Sequence, residues 1–356
     1  MPFPYDWRLS NRYNARRLKA VVEPALEKWR AQQPSLREAK VTFICHSMGG
    51  LVARWYIERE GGAEITRKLI TLGTPHRGAL NALETLVNGV ELKLVDSYGI
   101  SIGRLAPRLT RFARSLPSLY QLLPEYACIE TDDGLAKTTE VLLPELSTAM
   151  AADAMRFHTD LDAQQSAAYD LHPIVGFRQP TATTAQLRNG RVRALETIEG
   201  NDEGGDGTVP RLAATPARWR PNDPAIRSAA ERHGSLQSNR GVLDEIEFVL
   251  GARAEPYKAG GLTELTVRID DLVLAGQPIA LRADTADGSR VGLLALIRDE
   301  AGREAARRLL TPGEPATLSP LPPGGYSVEI GGIGTAAHRI APVTCPVLVW
   351  NPETAQ

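Results

Sequence analysis

The sequence predicts an α/β protein in which a parallel-sheet domain is followed by a small all-β domain. Over residues 1–253, short apolar β-branched segments alternate with helical segments, which is typical of a parallel sheet. After about residue 262 the apolar residues recur at every second position and are separated by Gly and Pro turns, which is typical of a β-sandwich. The chain has 356 residues, 43% of them hydrophobic, and is therefore long enough to build both cores.

The first domain begins with a helix predicted over residues 14–31, in which Leu18, Val22, Leu26 and Trp29 share one face. The same periodicity arguments predict strands over 40–45, 68–72 and 172–177 and helices over 49–60 and 241–251.

Between two of these strands, residues from about 81 to 170 form an irregular helical stretch that is interrupted by prolines. An insertion at this place predicts a cap over an active site. Apolar cap residues such as Tyr120 and Leu123 could line a substrate pocket for an acyl chain, and the alternative is that they pack into the core.

The segment 44–50, ICHSMGG, places Ser47 between a predicted strand and the next helix. Because the strand turns into a helix within three residues, the middle residue must be strained and its neighbours small, a need that Gly49 meets. This is the G-x-S-x-G elbow of α/β-hydrolases with Cys45 in the first position, and the N–H of Met48 would be an oxyanion donor. The alternative is that Ser47 only caps the helix.

A nucleophilic serine needs a base and an orienting carboxylate, which follow the serine in the chain order Ser, Asp, His. Asp206 lies between two glycines, after a strand predicted over 192–198, and His233 lies in a polar loop. Taken singly, Asp206 also fits an Asp-Gly turn and His233 a solvent-facing loop. Taken with Ser47, they predict a catalytic triad.

Two other histidines lie close to these motifs. His46 adjoins Ser47, but on such a turn we expect its side chain to point elsewhere. His76 precedes the predicted acid, so the chain order is wrong for a base, and we expect it to line the pocket.

The motifs FPYDWRLS, CHSMGG, LGTPHRG, LPSLYQLLPEY and GDGTVP, in this order over residues 3–250, resemble those of the lecithin:cholesterol acyltransferase family. This resemblance implies an α/β-hydrolase fold and acyl transfer from an ester lipid to an alcohol or to water. Residue by residue, it places the nucleophile at Ser47, the acid at Asp206 and the base at His233.

Composition limits the remaining possibilities. A net charge of −1 argues against nucleic acid as a partner. The three cysteines cannot all pair and show no metal spacing, so we expect a reduced, cytoplasmic protein without metal or other cofactor. No apolar run is long enough to span a membrane, which leaves peripheral contact with lipid possible.

A polar, glycine-containing segment over residues 254–262 predicts a linker, and residues 263–356 then form the predicted sandwich. We find no catalytic constellation in the sandwich, so residues 1–253 are expected to hold all the reactive groups. The sandwich is expected to pack, recruit or stabilise, and its protein partners are not predicted.

The sequence thus predicts serine-dependent acyl transfer on lipid esters, by an acyltransferase or a lipase-type esterase. The alternative is a catalytically impaired hydrolase fragment that acts as a binding or scaffold protein. The motif FPYDWRLS at residues 3–10 resembles the segment that follows the oxyanion loop in the family. We therefore expect that the first strands and this loop are missing. On that expectation the chain is poorly soluble and weakly active, and a longer version could carry a signal peptide.

Overall fold

The computed structural model describes residues 1–90, 102–143, 145–163, 166–220, 223, 225–252 and 262–351, with the backbone alone for 102–106. The elements up to residue 252 are, in chain order, α1 (Asn11–Arg30), β1 (Val41–His46), α2 (Gly49–Arg59), β2 (Thr66–Leu72), α3 (Leu80–Asn88), α4 (Ile102–Ala113), α5 (Pro117–Tyr120), β3 (Ile129–Thr131), β4 (Gly134–Ala136), α6 (Thr148–Ala163), β5 (Asp170–Gly176), β6 (Thr184–Arg188), β7 (Arg191–Leu195), β8 (Arg227–Ala229) and α7 (Arg240–Val249).

A four-stranded parallel sheet forms the centre of this part, in the order β1, β2, β5, β8. His46 pairs with Leu72, and Leu72 with Ile174, so the carboxyl ends of the strands lie at one edge. This is the edge at which open α/β sheets form ligand sites. The α/β class and the strands predicted at 40–45, 68–72 and 172–177 are confirmed.

Helix α1 begins earlier than predicted, at a cap in which Ser10 Oγ accepts a backbone N–H of the first turn. Leu18, Val22 and Leu26 are buried, as the periodicity predicted, and Leu18 and Val22 share a core with residues of α2. Trp29 lies on the same face, since it lines one groove along β1 together with Leu18, Val22 and Leu26, but it is 51% exposed.

The insertion predicted as a cap contains α3 to α6 and the short hairpin of β3 and β4; its residues 91–101 lie outside the described part of the chain. A second sheet forms beside it in the order β4, β3, β6, β7. The strand predicted over 192–198 is β7, and it belongs to this second sheet rather than to the central one. Through the pairing of β3 with β6, the insertion is hydrogen-bonded to the hairpin of β6 and β7, which precedes Asp206 in the chain.

The remaining chain forms two packed β-sheets. Their strands are β9 (Leu265–Ile269), β10 (Leu272–Leu274), β11 (Ile279–Thr285), β12 (Leu293–Asp299), β13 (Glu304–Leu310), β14 (Ala316–Leu318), β15 (Gly324–Gly332) and β16 (Val343–Trp350). One sheet has the order β10, β16, β15, β12, β13 and the other β14, β11, β9. Val267, Leu281, Ile297 and Val328 from the two sheets share one core, which confirms the predicted sandwich-like domain. We call it the β domain; apart from Leu262, the predicted linker 254–262 lies outside the described residues.

Among the helices that the structure describes, none combines the length and the apolar character needed to cross a bilayer.

Candidate active site

Ser47 immediately follows β1 and has a φ of 54°, in the left-handed region that strains a non-glycine residue. Its N–H donates to the carbonyl of Leu72 at 2.9 Å, and the Thr74 hydroxyl donates to the Ser47 carbonyl at 2.8 Å. The small residue on which this turn depends is Gly50 rather than the predicted Gly49. A Cβ at Gly50 would lie 2.1 Å from Thr74 Oγ1, whereas a Cβ at Gly49 would have its nearest neighbour at 3.7 Å.

The side chains of Ser47, His233 and Asp206 form a hydrogen-bonded chain. His233 Nδ1 lies 2.8 Å from Asp206 Oδ2, and His233 Nε2 lies 2.8 Å from Ser47 Oγ. Because a carboxylate only accepts, Nδ1 carries the proton and Nε2 accepts from the serine hydroxyl. The serine side chain is thus engaged by a base, and it makes no capping bond to α2, whose N-cap is Met48.

Asp206 is 1% exposed and is held by the backbone around it. Its Oδ1 accepts the N–H groups of Thr208 at 2.9 Å and Val209 at 2.7 Å, while Oδ2 faces His233. The Asp206 carbonyl accepts the His233 N–H at 2.7 Å, which ties the two loops together. The carboxylate is therefore fixed by three side-chain contacts and has little freedom to turn away from the imidazole.

Two glycines at the carboxyl ends of the central strands make room for this carboxylate. Gly73 follows β2 with a φ of 55°, and a Cβ there would lie 2.7 Å from Asp206 Oδ2 and 3.1 Å from His233 Nδ1. Gly176 ends β5, and a Cβ there would lie 2.3 Å from Asp206 Cβ. Asp206 therefore sits at the end of β5, although the hairpin of β6 and β7 separates the two in the chain.

His46 contacts the base loop, which the sequence argument did not foresee. Its Nε2 donates to the His233 carbonyl at 2.8 Å, and the two ring centroids are 4.8 Å apart. Burial, and then the neighbouring His233, lower the pKa of His46, so the ring is neutral near neutral pH. As predicted, His46 is not the partner of the Ser47 hydroxyl, which pairs with His233; the contact of His46 with the base loop was not predicted.

Met48, the predicted oxyanion donor, is buried at the N-terminus of α2. Within the described residues its N–H makes no hydrogen bond, so it is free to donate one to a ligand. The helix N-terminus favours negative charge at the same place. Cys45 on the other side of the elbow has a thiol whose pKa is raised to about 12 by burial, so it stays neutral.

The three side chains predicted to bind substrate are buried rather than exposed to solvent. His76 is completely buried, with Nε2 3.3 Å from Thr71 Oγ1. Tyr120 is 1% exposed and its hydroxyl accepts the Ser147 N–H at 3.1 Å. Leu123 is fully buried in the same core as Tyr120. Tyr120 and Leu123 therefore pack into one apolar core, while His76 is buried beside the polar Thr71.

A cavity of about 390 Å³ lies instead between the base loop and the β domain. Its lining includes His233, Gly234, Asp271, Tyr326, Pro346 and Leu348. The volume falls within the range of small-ligand sites. The lining is mixed: Tyr326, Pro346 and Leu348 are largely apolar, whereas His233 and Asp271 are polar. Among the residues that the structure describes, no group of three or more metal-ligating side chains is assembled.

A serine on a strained turn at the end of a parallel strand, with an acid and a histidine on later loops, defines the class of α/β-hydrolases. Residues 1–197 match the model of the lecithin:cholesterol acyltransferase family. This match covers more than half of the chain, and the protein belongs to that family. Asp206 and His233 lie beyond the matched segment.

Solved structures with similarity to the chain include the Tle4-Tli4 complex, with 18% sequence identity and a TM-score of 0.44. That match covers 62% of this chain and 60% of the other, so the chain spans about three fifths of its length. The mature form of the Bacillus licheniformis lipase BlEst2 matches with 14% identity and a TM-score of 0.32, over 62% of this chain and 64% of the lipase.

The propeptide form of the same lipase matches over 97% of this chain and 85% of its own, with 14% identity and a TM-score of 0.31. At such TM-scores the fold assignment rests on the sheet topology and the family match. Comparison with curated proteins gives no significant match.

Proposed function

We propose that the protein transfers acyl groups from lipid esters through a covalent intermediate on Ser47. In this proposal His233 is the general base and Asp206 holds its tautomer and stabilises the imidazolium. The observation that carries the proposal is the unbroken hydrogen-bonded chain from Ser47 Oγ through His233 to Asp206, with 2.8 Å at each link. Membership of the acyltransferase family supports the choice of a lipid ester as substrate.

The proposed chemistry starts with attack of Ser47 Oγ on the ester carbonyl carbon while its proton passes to His233 Nε2. The Met48 N–H and the start of α2 face the negative charge that develops on the carbonyl oxygen. Collapse of the tetrahedral intermediate breaks the bond to the leaving alcohol, which takes the proton from Nε2. Water or an acceptor alcohol then attacks the acyl carbonyl carbon while its proton passes to Nε2. As the second tetrahedral intermediate collapses, the bond to Ser47 Oγ breaks and Nε2 returns the proton to Oγ, which restores the free serine and releases the acid or the new ester.

The cavity beside His233 supports entry of a substrate from the side of the β domain, because His233 is 15% exposed there. Its lining by Tyr326, Pro346 and Leu348 suits an apolar portion of an ester.

A fluorophosphonate probe tests the nucleophile. We expect covalent labelling of the wild type at Ser47, read by peptide mass spectrometry, and no labelling of Ser47→Ala. Ser115→Ala is the matched control, because Ser115 is exposed and its hydroxyl only donates to the Phe112 carbonyl. Equal labelling of Ser47→Ala and the wild type would refute the assignment, and absence of labelling in a folded wild type would favour the scaffold alternative.

A second measurement separates hydrolysis from transfer. Both reactions share one acyl-enzyme and differ in the group that attacks it. The products formed from a lipid ester are analysed with and without an added long-chain alcohol. Hydrolysis gives free fatty acid under both conditions, whereas transfer gives a new ester when the alcohol is present.

A further inference from the structure

The base loop, residues 230–238, lies against the last described strand of the β domain. Thr344 of β16 makes two hydrogen bonds to it through its backbone. Its N–H donates to Glu231 Oε1 at 3.0 Å, and its carbonyl accepts the Ser235 hydroxyl at 2.6 Å. Since His233 lies between these two positions, one residue of the β domain holds the chain on both sides of the base.

Of the two residues that contact Thr344, Glu231 is held by more hydrogen bonds than Ser235. Glu231 is 2% exposed. Its Oε1 also accepts the Arg232 N–H at 2.9 Å, and its Oε2 accepts an N–H of the Asn239 side-chain amide at 3.1 Å. Burial raises the pKa of Glu231, against the opposing effect of these N–H donors. A buried carboxylate with three donors in fixed positions holds its loop rigidly, and losing it leaves the donors unsatisfied.

Arg232 and Gly234 of the base loop also lie against the β domain. Arg232 donates to Asp271 Oδ1 at 2.7 Å and to the Val267 carbonyl at 3.3 Å. At Gly234 the space is so small that a Cβ would lie 2.9 Å from Pro346 Cγ. Residues on either side of His233 are therefore packed against the β domain, and its ring alone turns towards Ser47.

We infer that the β domain positions the catalytic base, and that Glu231 and Ser235 are positioning residues that act through the backbone of Thr344. This inference rests on the proposed function. The physical reason is that a base must be held within a fraction of an ångström of its nucleophile, and a misplacement of about 1 Å can cost roughly 10²-fold in rate. On this inference, residues 1–253 hold the reactive groups but need β16 to position the base.

The test uses the full chain with Glu231→Ala, Ser235→Ala and Glu231→Gln. The glutamine keeps an amide oxygen that can accept from Thr344 and Arg232, so it should restore most of the lost rate. Arg268→Gln is the matched control: it removes a two-point contact of the β domain with Glu196, at 2.7 and 2.8 Å, on an exposed surface beside Arg232, and leaves the Thr344 contacts in place.

We expect kcat on a short p-nitrophenyl ester to fall by about 10–10²-fold in Glu231→Ala and by a smaller factor in Ser235→Ala. KM should stay within about twofold, because the residues do not contact the substrate, and Arg268→Gln should keep the wild-type kcat. Hydrogen exchange of the peptide over 230–238 should become faster in both alanine variants and stay slow in Arg268→Gln.

Unchanged kcat and unchanged exchange in both alanine variants would overturn the inference. So would an equal loss of kcat in Arg268→Gln, because general docking of the β domain would then account for the effect. Exchange is measured without turnover, so it separates this inference from the proposed function: faster exchange in a chain that a fluorophosphonate does not label supports the positioning contacts while refuting the nucleophile.

Discussion

Replacing Gly73 by alanine should damage the proposed triad without removing any of its members. The new methyl group would lie 2.7 Å from Asp206 Oδ2, 2.8 Å from Leu236 Cδ1 and 3.1 Å from His233 Nδ1. These contacts are too short, so the carboxylate and the imidazole must separate or tilt. The hydrogen bond that orients the base is the contact most directly affected.

The expected loss of stability has two parts. A non-glycine residue at a φ of 55° costs about 1–2 kcal/mol, and overpacking of a tight site typically adds about 1–3 kcal/mol. A total of about 2–5 kcal/mol leaves a domain of ordinary stability mostly folded. The loss of activity should be larger, between the roughly 10²-fold of a 1 Å misplacement and the roughly 10⁴-fold of a lost Asp–His orientation.

The assay compares kcat on a soluble ester with the free energy of unfolding from denaturant titration. Gly190→Ala is the control, because Gly190 has a φ of 74° and a Cβ added there would have no neighbouring atom within 4 Å. It should lose about 1–2 kcal/mol of stability and keep the wild-type kcat. If Gly73→Ala keeps wild-type kcat, or if Gly190→Ala loses as much activity, the argument from crowding at Asp206 is refuted.

Three further outcomes are expected. Asp206→Asn should lower kcat by about 10³–10⁴-fold with little change in KM, measured by steady-state kinetics; retained activity would contradict the orienting role of the acid. Gly50→Ala should slow fluorophosphonate labelling sharply, because its Cβ would clash with Thr74 at 2.1 Å, while Gly49→Ala should label at nearly the wild-type rate. Stability should fall as the pH drops below about 6.5. Burial lowers the pKa of His76 well below its ordinary value and also lowers the pKa values of His46, His158 and His172, so the unfolded chain binds protons first. Each such histidine contributes a loss of up to about 1.4 kcal/mol per pH unit, and urea midpoints at pH 7.5 and 5.5 would show the change or its absence.

Local sequence patterns were sufficient to predict β1, β2, β5, β7, the helices α1, α2 and α7, and the elbow. The strand before Ser47 and the helix after it follow from hydrophobic periodicity and from two nearby glycines, all within a few residues of each other. The chain order of Ser47, Asp206 and His233 was also accessible, because the type of turn around each residue is a local property. The structure brings these three side chains together, and their catalytic roles stay a prediction.

The features that the sequence did not predict depend on distant parts of the chain. The need for Gly50 arises from Thr74, which approaches from the end of β2. The second sheet pairs β3 with β6, which lie on opposite sides of β5 in the chain. Tyr120 and Leu123 have the same apolar character in a pocket wall as in a core, so only the packing of their neighbours decides between the two.

The contact between Thr344 and the base loop has a consequence for the timing of synthesis. A ribosome adds Thr344 only 111 residues after His233 (344 − 233), which at about 5–20 residues per second takes roughly 5–20 s. During this interval the growing chain already carries Ser47, Asp206 and His233 but has no β16 to hold the loop. On the inferred role of the β domain, the nascent chain has a poorly positioned base until that domain folds, so the proposed acyl transfer stays slow until translation has passed β16.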